Sequence, residues 1–213
     1  MNGEENKSSL FDLVKLKELG GVKAGDFLAV DPEIYPKYMK HLSITIKRDV
    51  VTKNVVFLTS CSAYIPEPNN LFLRGESSIG KSYNVVEVLK YFPREDVWLL
   101  GGLSPTALVH QHGILVDKNG EPILLSEKPD KDATKEELET WRQRINDSRY
   151  LINLKGKILV FLEAPSHETF NMLRPILSHD ASEISYRFTD KSAKGQLQTQ
   201  HVVIRGWPAT IFC

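Results

Sequence analysis

Apolar residues recur along this chain with two different periods, and the change between them falls near residue 66. Upstream the spacing is helical. Leu10, Phe11, Val14, Leu16 and Leu19 predict a short helix ended by Gly20 and Gly21, after a polar tail over residues 1–9 whose composition predicts disorder. Two further helices are expected over about residues 31–46 and 49–64. In the second, Val51, Val55, Val56, Leu58 and Cys61 recur often enough to make one buried face. Residues 65–70, with two prolines and two asparagines, break the pattern. This divides the chain into a helical N-terminal region, 1–66, and a second domain, 67–213.

Downstream, strands and helices alternate. Leu71, Phe72 and Leu73 make a short buried strand, and a glycine-containing loop follows. A helix is expected over 81–92, with Val85, Val88, Leu89 and Phe92 inward and Pro93 stopping it. Residues 97–100 are the next strand, and Ser104 caps a helix over 105–110 with Pro105 at its first position. Residues 114–125 read as a β-hairpin turning on Asn119 and Gly120. After a polar loop, Thr134 and Glu137 form a capping box for a helix of about 16 residues carrying Leu138, Trp141, Ile145 and Leu151. Residues 157–163 are a buried strand, and Ser166 opens a helix through Phe170, Leu173 and Leu177. Residues 183–189 and 198–204 pair around a turn at 191–195, placing a β-hairpin before the last strand, 208–213. The whole predicts an α/β fold with a mostly parallel central sheet flanked by helices. Because the chain stops at Cys213 inside what reads as a buried strand, the domain is expected to be truncated at its C-terminal end.

Composition narrows the class without naming a function. Hydrophobic residues are 41% and charged residues 25%, which excludes disordered and collagen-like chains. Lys+Arg and Asp+Glu are both 27, so no overall basic excess argues for non-specific nucleic-acid binding. Cys61 and Cys213 lie far apart without CxxC spacing, which argues against a zinc ribbon or disulfide framework and fits a reducing, cytoplasmic setting. The N-terminus lacks the apolar core of a signal peptide, and no stretch approaches the roughly 20 apolar residues of a membrane span.

Chemistry concentrates in one loop. Gly75, Glu76, Ser77, Ser78, Ile79, Gly80, Lys81 and Ser82 match G-x-x-x-x-G-K-[ST] at every defined position. Glycines let the backbone wrap an anion closely, so that successive N–H groups face it, and the following helix adds its positive end. Lys81 is expected between the β- and γ-phosphates of ATP, with the Ser82 hydroxyl on Mg²⁺. An apolar strand before the loop and an amphipathic helix after it supply the context such a match requires. A neighbouring strand should carry an acid. The run Ile158, Leu159, Val160, Phe161, Leu162 ends in Glu163, although an Asp-Glu pair is usual there and Leu162 takes the first place. Glu163 is therefore the candidate for the catalytic base and for the metal's acidic partner.

These residues carry a resemblance. The run from Arg74 through Lys81, Ser82 and Tyr83, then Tyr91-Phe92-Pro93, Gly102 to Val109, and Lys157 to Glu163, resembles the P-loop ATPase module of phage and mobile-element primase–helicase proteins. The resemblance covers roughly residues 50–213. It implies an additional-strand P-loop NTPase fold related to the AAA+ class, working as a homo-oligomeric ring, with residues 75–83 around ATP. It also implies that the hairpin over 184–204 touches single- or double-stranded DNA through Lys191 and Lys194, and that the sensor residue and arginine finger lie at or beyond Cys213. Two readings from other classes stand beside this motor: a kinase-like phosphotransferase using the same loop, and a regulatory nucleotide-binding module without turnover.

Other signals are bland. His110 and His112 lack further ligands at useful spacing. Ser178, His179 and Asp180 are adjacent and cannot form a catalytic relay. Arg142, Arg144 and Arg149 are interspersed with acids and read as a solvated face.

Overall fold

A computed structural model describes residues 33–76, 80–102, 104–130, 132–191 and 197–213. The expected tail over 1–9, the helix over 10–19, Ser77, Ser78, Ile79 and Lys194 lie outside them. The chain begins with α1 (Ile34–Thr45) and α2 (Val50–Ser62). It continues through β1 (Asn70–Phe72), α3 (Lys81–Leu89), β2 (Val97–Leu100), α4 (Pro105–His112) and β3 (Ile114–Val116). Then come α5 (Lys135–Asn146), β4 (Arg149–Asn153), β5 (Ile158–Phe161), α6 (His167–Leu177), β6 (Glu183–Lys191), β7 (Leu197–Arg205) and β8 (Ala209–Phe212). Among the described residues no helix is long and apolar enough to cross a membrane.

The strands form two four-stranded sheets. The first has the order β1-β8-β5-β2 and is parallel throughout, with helices on both faces. Its central strand β5 reads as a continuous apolar run because both faces are covered. Ile158, Val160, Ala209 and Ile211 pack toward α1, α2 and α3, in one cluster with Leu42, Val56, Val85 and Val88. Leu159 and Phe161 pack the other way, with Leu108 and Val109 of α4 and Met172, Leu173 and Ile176 of α6. The break at residues 65–70 separates α1 and α2 from the rest in sequence but not in the core. Tyr38 stacks on Phe57 at 4.2 Å and meets Tyr91 edge-on at 4.9 Å, joining α1 and α2 to the turn after α3.

The second sheet, β3-β4-β7-β6, departs from the expected single sheet. The hairpin β6–β7 does precede the last strand, with nine paired positions from Glu183 opposite Arg205 to Lys191 opposite Leu197. Its inner strand runs parallel to β4, so the hairpin is half of a sheet rather than a free arm. Three further expectations need correction. The helix over 134–151 ends at Asn146, and Leu151 belongs to β4, because residues 149–153 find backbone partners in both β3 and β7. The hairpin over 114–125 keeps its turn, where Asp117 accepts from the N–H groups of Asn119 and Glu121. Its return limb, however, is a single bridge, Val116 to Pro122, and β3 pairs with β4 instead. Arg144 is not simply solvated: its guanidinium bonds Asp117 at 3.3 Å and Glu127 at 2.7 Å, tying α5 to that turn.

The buried face of α2 is also not the expected one. Val56 is buried, but Val51 is 73% and Leu58 57% exposed. The inward positions are Lys53, Thr59 and Ser60. Lys53 and Ser60 tolerate burial because each finds an internal partner. The Lys53 ammonium, 1% exposed, donates to the Ser43 hydroxyl and to the Ile46 carbonyl at the end of α1, both at 2.9 Å, and Ser60 donates to the Val56 carbonyl.

The same region sets an alkaline limit to stability. Burial pushes the Cys61 thiol from 9.0 up to about 11. Burial, and then the Asp96 carboxylate that accepts the Tyr64 hydroxyl at 2.9 Å, holds the Tyr64 phenol well above its ordinary value. Both folded groups keep protons that the unfolded chain releases, so stability is full below pH 9 and falls as pH rises above it. The Cys61 contribution reaches about 2 kcal/mol near pH 11. Urea midpoints across the alkaline range should show this fall, and Cys61→Ala with Tyr64→Phe should lessen it, leaving the part due to Tyr38, whose phenol is also held above its ordinary value by burial.

Candidate functional site

The loop of residues 75–82 leaves the C-terminal end of β1 and enters α3. Its entry is pinned by the strand beside it, since the Leu73 N–H donates to the Phe212 carbonyl of β8 at 2.8 Å. Its exit is pinned by Gly80, which caps α3 with φ of +87°, a left-handed conformation that a side chain disfavours. Lys81 is the first residue of α3 and folds back over the loop. Its ammonium donates to the Gly75 carbonyl at 2.9 Å and the Glu76 carbonyl at 2.7 Å. A lysine at a helix N-terminus opposes the helix dipole. The two loop carbonyls offset that opposition within the chain, and two positive features at one point are the arrangement that suits an external anion.

Ser82 is exposed and shares a hydrogen bond with the Cys213 thiol, just past β8. Burial raises that thiol's pKa, and the Ser82 bond and the Lys81 charge oppose the rise. Tyr83 points outward, 53% exposed, while Asn84 is buried and donates to the Asp49 carboxylate at 2.9 Å. Asp49 itself has a left-handed backbone and caps α2 by accepting from the Thr52 N–H. The first turn of α3 is thereby fixed to the start of α2.

Glu163 lies two residues past β5 and is exposed. A Cβ built on Gly102 would lie 3.9 Å from its Oε2, so Glu163 sits over the ends of β2 and β5. Leu162 joins the cluster on the α3 side. A cavity of about 340 Å³ joins Glu163 to Cys213 and is lined by Phe72, Phe161, Phe170 and Phe212. The structure thus gathers Lys81, Ser82, Cys213 and Glu163 around the C-terminal edge of one parallel sheet. Cys213 and the phenylalanines were not singled out as site residues from the sequence. The available signal was a phenylalanine at or near the end of each of β1, β5 and β8.

Of the expected nucleic-acid contacts, Lys191 ends β6. The other sequence signals resolve structurally: His112 stacks on Trp98 at 3.9 Å, His179 stacks on Trp207 at 4.9 Å, and Ser178 donates to Asp180 rather than to a histidine. No cluster of three His, Cys, Asp or Glu side chains suited to a metal ion occurs among the described residues. Comparison with protein-family models, curated proteins and solved structures gave no match.

Gly80→Ala tests the loop's geometry. Among the described residues nothing lies within 4 Å of the added methyl, so the expected cost is backbone strain, about 1–2 kcal/mol by urea unfolding.

Proposed function

We propose that this chain is a P-loop NTPase that binds Mg-ATP in the loop of residues 75–82 and hydrolyses it as the motor module of a DNA helicase or primase–helicase. The observation that carries the reading is the placement of Lys81 and Gly80. They bring an ammonium group and a helix N-terminus to one point beyond the end of parallel strand β1, with Glu163 beyond the end of β5, across β8 along the same sheet edge.

Gly75, Glu76 and Gly80 supply backbone to the phosphates, and Lys81 exchanges its two loop carbonyls for phosphate oxygens. Ser82 and Glu163 would hold Mg²⁺. The ion arrives with the triphosphate and needs only one or two protein oxygens, so a hydroxyl and a carboxylate suit it. When bound, it neutralises charge developing on the phosphates. Glu163, open to the cavity, orients a water molecule and accepts its proton. The hairpin β6–β7 lies just before β8 in the chain, which supports DNA contact at its Lys191 end in a ring of copies.

One observation favours a second reading, a regulatory nucleotide-binding module without turnover. Leu162, not a carboxylate, is the last β5-side residue directed to the α3 face.

Steady-state ATP hydrolysis with and without single-stranded DNA separates the two. The motor predicts DNA-stimulated turnover that falls at least about a hundredfold in Lys81→Ala and in Glu163→Gln, with Glu163→Gln still binding ATP. Lys81-dependent binding with no turnover under either condition would establish the regulatory module instead.

A further inference from the structure

Three aromatic rings form a stack across the first sheet. Phe161, Phe212 and Phe72 are register partners on β5, β8 and β1. Phe161 and Phe212 lie 4.9 Å apart with an interplanar angle of 8°, and Phe212 and Phe72 lie 4.3 Å apart at 4°. Exposure rises along the stack, from Phe161 at 1% to Phe72 at 60%. Phe170 of α6 meets Phe212 edge-on at 6.4 Å and holds the middle ring in place. Among the described residues β1 has only β8 as a partner strand, so it forms the edge of the sheet. Phe72 rests one face on Phe212, and among the described residues its other face is open.

A large apolar ring held flat at a sheet edge, with its outer face uncovered, is a prepared surface for another planar ring. Its position says which ring. Phe72 precedes Gly75 by three residues, a span of at most about 10 Å in an extended chain. A ribose and an α-phosphate separate a nucleobase from its β- and γ-phosphates by a distance of that order.

We propose that the outer face of Phe72 is the base subsite of the nucleotide site, stacking the nucleobase of the triphosphate held by the loop of residues 75–82. The subsite rests on the phosphate-binding reading above. The stack makes it rigid, because Phe72 is fixed by Phe212 before any ligand arrives, and binding therefore costs little side-chain entropy. Stacking recognises the π-face that all bases share, so the subsite favours nucleotides over bare phosphates more strongly than it distinguishes one base from another.

The test uses two probes, ATP and inorganic tripolyphosphate, which share the phosphates and differ in the base. Phe72→Ala should weaken ATP binding about tenfold and leave tripolyphosphate unchanged. Phe72→Leu, which keeps the apolar contact with Phe212 but lacks a ring, should behave in the same way. Phe72→Trp should retain ATP affinity, and its added indole emission, measured against the parent with Trp98, Trp141 and Trp207, should be quenched by ATP and not by tripolyphosphate. Unchanged ATP affinity in Phe72→Ala, or equal loss of both probes, would overturn the subsite. Lys81→Ala is the separate control: it should weaken both probes. If it weakens neither, the phosphate site fails and the base subsite fails with it; if it weakens both while Phe72→Ala weakens neither, only the base subsite fails.

Discussion

The position of one strand, β8, sets the rest of the candidate site. It lies between β1 and β5, and its last residues hold both neighbours. The Phe212 carbonyl accepts from Leu73 at the root of the loop, and the Cys213 N–H donates to the Phe161 carbonyl of β5 at 3.0 Å. β1 is only three residues long, and among the described residues no other strand supports it. The loop that begins at residue 75 is therefore positioned by residues 209–213, near the other end of the chain. Closing so long a span costs entropy that local contacts cannot offset. The compensation is burial: Ala209, Ile211, Ile158 and Val160 are all at or near zero exposure in one cluster with α3.

The helices on the α3 side complete that arrangement with polar as well as apolar contacts. Asn84 and Asp49 connect the first turn of α3 to the cap of α2, and Lys53 connects α2 to the end of α1. These bonds lie within the same layer as the buried apolar cluster, where a satisfied hydrogen bond is directional and an unsatisfied one is costly. The outcome is a fixed platform under the N-terminus of α3. On that platform the Lys81 side chain and the positive end of the α3 dipole lie together, the arrangement on which the proposed phosphate site rests.

The phenylalanine stack links this platform to the solvent. Phe161 belongs to the deep core on the α6 side, Phe212 is half-buried, and Phe72 stands in the open. A large ring exposed at a strand end carries an apolar cost unless something covers it. The ordering of the stack limits how Phe72 can move, so its exposure is a property of the fold and not of a loose side chain. Glu163 and Cys213 meet the same cavity from the ends of β5 and β8, placing apolar and ionisable groups within one opening.

Much of the local structure was readable from short stretches of sequence. Ser104, Ser166 and the Thr134–Glu137 box cap helices where expected, because a cap is decided by hydrogen bonds within three residues. The helix beginning at Lys81 was readable for the same reason, whereas β1, expected to be buried, is largely exposed and is held by β8 from the far end of the chain. What only the tertiary structure decided is which surfaces meet. The spacing of Val51, Val55 and Leu58 fits a helix face, but Lys53 took the core because the end of α1 offered its ammonium two acceptors, and Thr59 and Ser60 turned inward with it. Leu151 fits a continued helix, yet two waiting strand edges drew residues 149–153 into β4. The division into two sheets, the order β1-β8-β5-β2, and the meeting of Phe72, Glu163 and Cys213 depend on contacts between residues far apart in the chain. A periodic pattern states that a face will be buried; it carries no information about the partner that buries it.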